Sequence, residues 1–460
     1  MDIEALKESV FGTVMTREDR AYATARADLL WNGRKPPRFP QVIVKAASVG
    51  DVQATVRFAA ANGVRISVRG GGHNWSGIAL QEAIVLDLSA LDGIRFDAEE
   101  CIAEVGPAVR NGDAARAFAA RGLAFPLGHC ASVPLSGYLL GGGFGWNVGA
   151  WGIACFSVES IEVVTADGEL RRASAHQNPE VFWAARGAGP EFFGVVTGYR
   201  LRLRPLPRAI TTSVWTYRLA DAAAVQRWMH EAMAVAPRNV EFTAVFSAAP
   251  PSLAGRVDKV ASAIATVFAD SEAEAHATLA RIAAAAPAGA LEIQANMPTP
   301  FEVLYAIIAQ FFPEEHRYAV DSFWAAPDAG DFLARLARET DEAPSARSFS
   351  LGVVLPPPLG PLPDAAFSMI GPAFGCAYAI WQEPAEDDAN VGWIRRTADA
   401  LAPATVGAYL GEADLDRAGK LHRCFSTPAW NRLKALQAKY DPAGLFRTTQ
   451  SRAASLESAA

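Results

Sequence analysis

The sequence predicts an α+β protein of two units: a glycine-rich N-terminal half, and a C-terminal half in which an antiparallel sheet carries helices on one face. Strand and helix signals alternate at short spacing up to about residue 205, and the glycine-rich loops all lie before that point. The proline-flanked segment RLRPLPRA then separates this texture from a second one. The 460 residues, 51% of them hydrophobic, hold enough apolar material for two ordinary domains, which surface-to-volume scaling favours over one large core.

A charged N-terminal helix is expected to run to about Trp31. The stretch QVIVKAASVGDVQATVRFAAANGVRISV then reads strand, turn, helix, strand. Val52, Val56 and Ala59 form the helical stripe, Gly63 stops it, and residues 64–68 make the next strand. Strands follow at 83–88 and 101–105, with an Ala-rich helix at 109–121 closed by Gly122. A hairpin in IEVVTADGELRR turns at Asp167-Gly168. Beyond Pro205, strands are expected at 212–217, 241–246, 258–268, 348–354 and 375–381, and helices at 221–234, 272–284, 331–340 and 390–401. The tail, 407–450, holds a helix at 428–440 and then YDPAGLF, a helix stop followed by an aromatic anchor.

Composition excludes disorder, a collagen repeat and a small disulfide scaffold. Forty-two Lys plus Arg against 49 Asp plus Glu leave a formal charge of −7, with no basic cluster interleaved with aromatics, so nucleic acid is not an expected partner. The longest apolar stretch, 304–312, falls short of the roughly 18 residues that span a bilayer. The N-terminus mixes acids and bases where an export signal has a basic tip and an apolar core. No membrane association and a cytoplasmic location are therefore expected. Five cysteines without CxxC spacing argue against a disulfide framework, and no metal site is expected.

The sharpest local feature is Arg69-Gly70-Gly71-Gly72-His73-Asn74-Trp75-Ser76-Gly77, directly after a strand. Successive glycines allow positive φ and turn backbone N–H groups inward as an anion-binding nest suited to a diphosphate. Taken alone, the run reads equally as a tight turn, and His73 as a loop histidine. A second cluster runs Gly128-His129-Cys130-Ala131-Ser132-Val133-Pro134-Leu135-Ser136-Gly137 into Leu140-Gly141-Gly142-Gly143-Phe144-Gly145-Trp146. Two phosphate-sized nests in one domain suit an extended ligand with a diphosphate and a large flat group, which a dinucleotide is. Gly70 and Gly72 with Ser76 do not match GxGxxG spacing, and a strand, not a helix, follows, which argues against a Rossmann unit.

In this order RGGGH, GxC, LGGGFGW, EVVTADG, FWAARGAGPEFFGVVT and the closing YDPAGLFR resemble the berberine bridge enzyme family of FAD-linked oxidases, within the vanillyl-alcohol oxidase fold. The likeness runs from about Arg34 to Arg447. It implies a two-part FAD-binding domain of the PCMH type over 1–205, with its core at about 35–205. A substrate domain over 206–405 and a segment 406–460 returning to the first domain would follow. The implied FAD-binding positions are Arg69, Gly70, Gly71, Gly72, His73, Asn74, Gly77, Gly128, Cys130, Val133, Ser136, Gly137, Gly141, Gly142, Gly143, Gly145 and Val196. His73 stands where such enzymes attach the flavin 8α-methyl carbon, and Cys130 where the doubly tethered members bond flavin C6. An imidazole or thiolate held against an electrophilic quinone-methide flavin alkylates once and irreversibly.

Val133 stands at the position of the family's gatekeeper beside flavin C4a, and a small valine resembles the oxygen-reactive members. Pro134 replaces a glycine usual there and offers no backbone N–H. Tyr409, in GAYL, occupies the place of the family's YxN tyrosine, which implies a base for the substrate proton; its other reading is a core aromatic. The family's supporting carboxylate falls near 348–351, where SFSL offers none. Tyr305, His316, Arg317 and Tyr318 are the substrate-domain alternatives. The resemblance implies a covalent-FAD oxidase that removes two electrons from an alcohol, phenol or amine carbon of a small organic substrate and reduces O2 to hydrogen peroxide. The rival readings are a flavin-dependent dehydrogenase or oxidative cyclase, and a non-catalytic flavin or small-molecule binding protein.

Overall fold

The computed structural model describes residues 1–97 and 101–446. Helix Val49–Ala61 is capped by Ser48, whose hydroxyl accepts from the Asp51 N–H, and it buries Val52, Thr55, Val56 and Ala59. That stripe packs on a four-stranded sheet ordered Thr13–Thr16, Val42–Lys45, Ile84–Asp87, Ile66–Arg69. The last three strands are parallel and the first is antiparallel to its neighbour. Strands buried on both faces read as unbroken apolar runs, which VIV and IVL are.

The single helix expected to reach Trp31 is instead two, Ile3–Ser9 and Tyr22–Asp28, with the edge strand Thr13–Thr16 between them. Gly12 explains the strand: a Cβ there would sit 2.0 Å from the Lys45 carbonyl oxygen. The Asp51 carboxylate also draws the chain in, accepting from the N–H groups of Phe11 and Gly12 at 2.9 Å each.

A second sheet is antiparallel, with five strands in the order Ile94–Phe96, Ile102–Val105, Val195–Arg202, Val158–Val164, Leu170–Ser174. Its last two strands form the hairpin turned at Asp167-Gly168, where Gly168 has φ +76°.

The second half forms one eight-stranded antiparallel sheet. Its order is Glu292–Pro298, Ala209–Arg218, Lys259–Ala269, Val240–Ala248, Phe349–Val354, Ala373–Trp381, Arg317–Ala325, Thr405–Gly407. Helices Ala222–Val235, Glu272–Ala284, Phe332–Asp341 and Asp387–Leu401 cover one face. Because side chains alternate along a strand, Phe242, Ala244 and Phe246 pack under those helices while Glu241, Thr243 and Val245 line a cavity on the other face. The sequence patterns had not marked Glu292–Pro298 or Arg317–Ala325 as strands. The apolar run near residue 304 is helix Phe301–Phe311, and among the described residues no helix is long and apolar enough to cross a membrane.

The chain then returns to the first half. Trp430, Leu433 and Leu436 of helix Thr427–Tyr440 enter the same core as the five-stranded sheet, each worth roughly 1.5–3 kcal/mol when fully buried. Asp441 accepts from the N–H groups of Leu445 (2.7 Å) and Phe446 (2.9 Å), and Ile66 N–H donates to the Leu445 carbonyl at 2.8 Å. The aromatic anchor thus pairs with the strand that leads into the RGGGH loop. Arg447 and the remainder of the expected segment 406–460 lie outside the described residues.

Candidate active site

The RGGGH loop is pinned from below. Arg69 does not face the cavity; its guanidinium donates to Asp87 at 2.9 Å and to the carbonyls of Leu29 and Asp28. A Cβ on Gly70 would lie 1.8 Å from Ser136 Oγ, and one on Gly71 would lie 2.0 Å from Pro134 Cγ. Gly72, at φ +71°, approaches the Leu29 carbonyl equally closely. These glycines bring the two glycine-rich loops into direct contact, and Gly70 to Asn74 line the cavity. Gly77 does not line it; at φ +60° it completes a turn against Leu30 and Pro36.

The second loop is held by Asn111, buried at the start of helix Asn111–Ala119. Its Oδ1 accepts from Gly128 N–H and its Nδ2 donates to the Cys130 carbonyl, each at 3.2 Å. Pro134 directly precedes helix Leu135–Leu140, at a position where a missing N–H forfeits no helical bond. Gly128, Cys130, Val133, Ser136, Gly137, Gly141 and Val196 line the cavity. Gly142, Gly143 and Gly145 do not: Cβ atoms there would strike the Phe367 ring at 2.3 Å, Ala154 at 2.6 Å and the Leu127 carbonyl at 2.2 Å, so they thread the loop through the core.

The cavity has a volume of about 850 Å³, near the top of the range of roughly 300–1,000 Å³ typical of ligand sites. Ser136 Oγ is buried in its wall without a hydrogen-bond partner among the described residues. A glycine cradle, an orphaned hydroxyl and a space of this size fit a dinucleotide such as FAD.

His73 and Cys130 both line this space. The imidazole stacks on Trp31 with centroids 5.2 Å apart. Burial, with Arg69 and Arg110 adding to it, pulls the ring down to about 3, so it is neutral near pH 7 and carries a nucleophilic nitrogen. Burial and then the Glu412 charge push the Cys130 thiol up to about 12, so it is protonated.

Tyr409 is buried on the opposite wall, just beyond strand Thr405–Gly407. Phe144 N–H donates to its hydroxyl at 3.2 Å. Its backbone is clamped by Ser322, whose Oγ donates to the Tyr409 carbonyl and accepts from the Tyr409 N–H. Lys420 donates to the Ser322 carbonyl and pairs with buried Asp321 at 2.7 Å. Burial raises the Tyr409 hydroxyl, and the Phe144 N–H works against that rise.

Two carboxylates absent from the motif reading enter here. Glu412 lies three residues after Tyr409, and Trp75 Nε1–H donates to its Oε2 at 2.7 Å. It lines the cavity, and burial pushes its carboxyl up to about 7, against the hydrogen bonds from Trp75 and Tyr378. Glu241, on the cavity-facing register of its strand, pairs with His129 Nε2 at 3.0 Å and accepts from Asn147 N–H at 3.1 Å. The signal for both was an acid in an otherwise apolar segment, GAYLGE and VEFTAVF. Strand Phe349–Val354 contributes only apolar side chains to the cavity: Phe349, Leu351 and Val353. Of the substrate-domain alternatives, Tyr305 lines the cavity. Arg317 instead pairs with Asp387, His316 bonds the Glu314 carbonyl, and the Tyr318 hydroxyl donates to the Pro313 carbonyl.

One large cavity lined by paired glycine loops together with titratable and aromatic groups suits a protein that holds an extended cofactor against a small molecule. Residues 40–174 match the FAD binding domain family. The FAD-linked oxidoreductase nodO of Hypoxylon pulicicidum is 30% identical over 93% of this chain and 94% of its own. Among solved structures, 6-hydroxy-D-nicotine oxidase from Arthrobacter nicotinovorans superposes with a TM-score of 0.83 at 25% identity, covering 95% of this chain and 97% of that one. BBE-like 1 of Physcomitrella patens has the same TM-score at 18% identity, over 98% of both chains. The chain belongs to the FAD-linked oxidoreductases and has the fold of the berberine bridge enzyme-like proteins. It is an FAD-dependent oxidoreductase.

Proposed function

We propose that the protein is a covalent-flavin oxidase that removes two electrons from an alcohol, phenol or amine carbon of a small organic molecule and passes them to O2, giving hydrogen peroxide. Residues 1–205 and 406–446 would hold the cofactor, and 206–405 the substrate. The observation that carries this reading is Glu412, a carboxyl titrating near neutral pH in the cavity wall that faces the glycine loops.

FAD, when bound, supplies the two-electron acceptor. Glu412 takes the O–H or N–H proton of the substrate. Tyr409, kept protonated by burial, is a hydrogen-bond donor that orients the reacting heteroatom. The aromatic wall of Trp75, Phe312, Phe349 and Tyr378 excludes water from the reacting carbon. Neutral His73 is the nucleophile poised for the tether, with Cys130 available for a second. Val133 lines the cavity with a small side chain, which favours oxygen access, and an oxidase among the structural relatives points the same way.

Small alcohols, phenols and amines are offered to the purified yellow protein in air and under nitrogen. An oxidase bleaches its visible band under nitrogen and releases peroxide in air. Bleaching without oxygen consumption would identify a dehydrogenase, and absence of bleaching across the panel would remove the catalytic reading.

A further inference from the structure

Besides Glu412, the cavity contains a second polar pole. Glu241 Oε2 accepts from Asn147 N–H, and a carboxylate carries only acceptors, so its Oε1 must receive a proton from His129 Nε2. The neutral ring is thereby fixed as the Nε2–H tautomer, and Nδ1 is left as an acceptor. Among the described residues His129 makes no other hydrogen bond, and it lines the cavity. Its ring lies 4.1 Å, centroid to centroid, from that of Trp146, which in turn lies 6.3 Å from that of Tyr305. Both of these residues line the cavity as well; the Trp146 indole N–H is directed at the Tyr305 hydroxyl oxygen, and the phenol has no acceptor for its own proton among the described residues. One acceptor, His129 Nδ1, and one free donor, the Tyr305 O–H, thus converge among apolar neighbours such as Leu304 and Ile308.

We propose that His129, Trp146 and Tyr305 form a recognition site for a hydroxyl group of the substrate other than the group oxidised. His129 Nδ1 accepts the hydroxyl proton, the Tyr305 phenol donates to its oxygen, and the Trp146 indole orients that phenol. Glu241 is a positioning residue that sets the tautomer. The inference rests on the reading of this cavity as the substrate site, and it narrows that substrate to a largely apolar molecule bearing a hydroxyl at one end.

The test is calorimetric binding of 2-naphthol and of 2-methoxynaphthalene to the flavin-loaded protein under nitrogen, at about pH 8.5. The first offers a proton and the second does not. Wild type should bind 2-naphthol about tenfold more tightly, the effect of one hydrogen bond made or left unmade. Glu241→Gln is nearly isosteric. Its amide oxygen must serve Asn147 N–H, so its NH2 faces His129 and forces the Nδ1–H tautomer, turning the acceptor into a donor. The preference for 2-naphthol should be lost or reversed, and ¹⁵N spectra of labelled histidine should report the tautomer change. His129→Leu should abolish the preference while leaving the methyl ether's affinity within about threefold. Equal affinities in wild type, or an unchanged preference in Glu241→Gln with the tautomer switched, would overturn the proposal. The oxidase reading is scored separately by bleaching and peroxide release, so one can fail without the other.

Discussion

Trp75 Nε1–H donates to Glu412 Oε2 across 2.7 Å, joining residues 337 positions apart in the chain. Trp75 belongs to the loop that carries His73, and Glu412 to the turn that carries Tyr409, so one bond ties the cofactor wall to the acid–base wall. It also stabilises the charged carboxylate against burial.

Trp75→Phe keeps an aromatic ring and removes that donor. Glu412 should then rise further, and the midpoint of the pH dependence of flavin reduction should move upward by about one to two units, as expected for a lost hydrogen bond to a charged group. Stopped-flow reduction under nitrogen across pH reads this directly; an unmoved midpoint would separate Glu412 from the reaction.

Glu412→Gln should slow flavin reduction by about 10²- to 10⁴-fold and erase the ionisation near 7. Tyr409→Phe should slow it while leaving that ionisation in place. The stability signature has a definite sign. Glu412 titrates higher in the folded chain than its ordinary value of 4.5, so its contribution is complete below about 4.5 and is lost as pH rises through about 7. Denaturant unfolding should show wild type losing stability over that window and Glu412→Gln losing less.

The tether is checked by intact mass. His73→Ala and Cys130→Ala should each keep one flavin bond, and the double variant none. Flavin released from wild type by acid precipitation would refute the link altogether. The protonated thiol and neutral imidazole predict that loading of Cys130→Ala resembles wild type more closely than loading of His73→Ala does.

Gly71→Ala should cost about 1–3 kcal/mol and lower flavin retention, because the new methyl meets the Pro134 ring. Pro134→Ala in the same chain removes the obstructing atoms and should recover much of the loss. Strict additivity of the two changes in thermal unfolding would show that the loops do not touch.

Val133→Leu should reoxidise in air more slowly than wild type after photoreduction. Equal rates would remove Val133 from the argument and leave Pro134, which lacks an N–H, as the candidate determinant of oxygen access.

Features that declare themselves locally were legible in the sequence: the glycine loops, the hairpin at Asp167-Gly168, the four helices over the large sheet, and the closing aromatic. Glu412 and Glu241 were not, because an acid becomes part of a site only through strand register and distant pairing. Glu241 faces the cavity because Phe242 faces the helices. Strand Arg317–Ala325 escaped notice since it is buried along nearly its whole length and carries Asp321, leaving no alternation to read. The N-terminal strand depended on Asp51, some forty residues away, drawing Phe11 and Gly12 inward.

The pairing of Ile66 with the Leu445–Phe446 segment gives the molecule an order of assembly. The strand leading into the RGGGH loop is synthesised early, yet its neighbour emerges only after the whole eight-stranded sheet has been made, and Phe446 itself lines the cavity. A nascent chain therefore carries its nucleotide loop with one side missing through most of its translation. That side of the loop is closed only by the finished polypeptide.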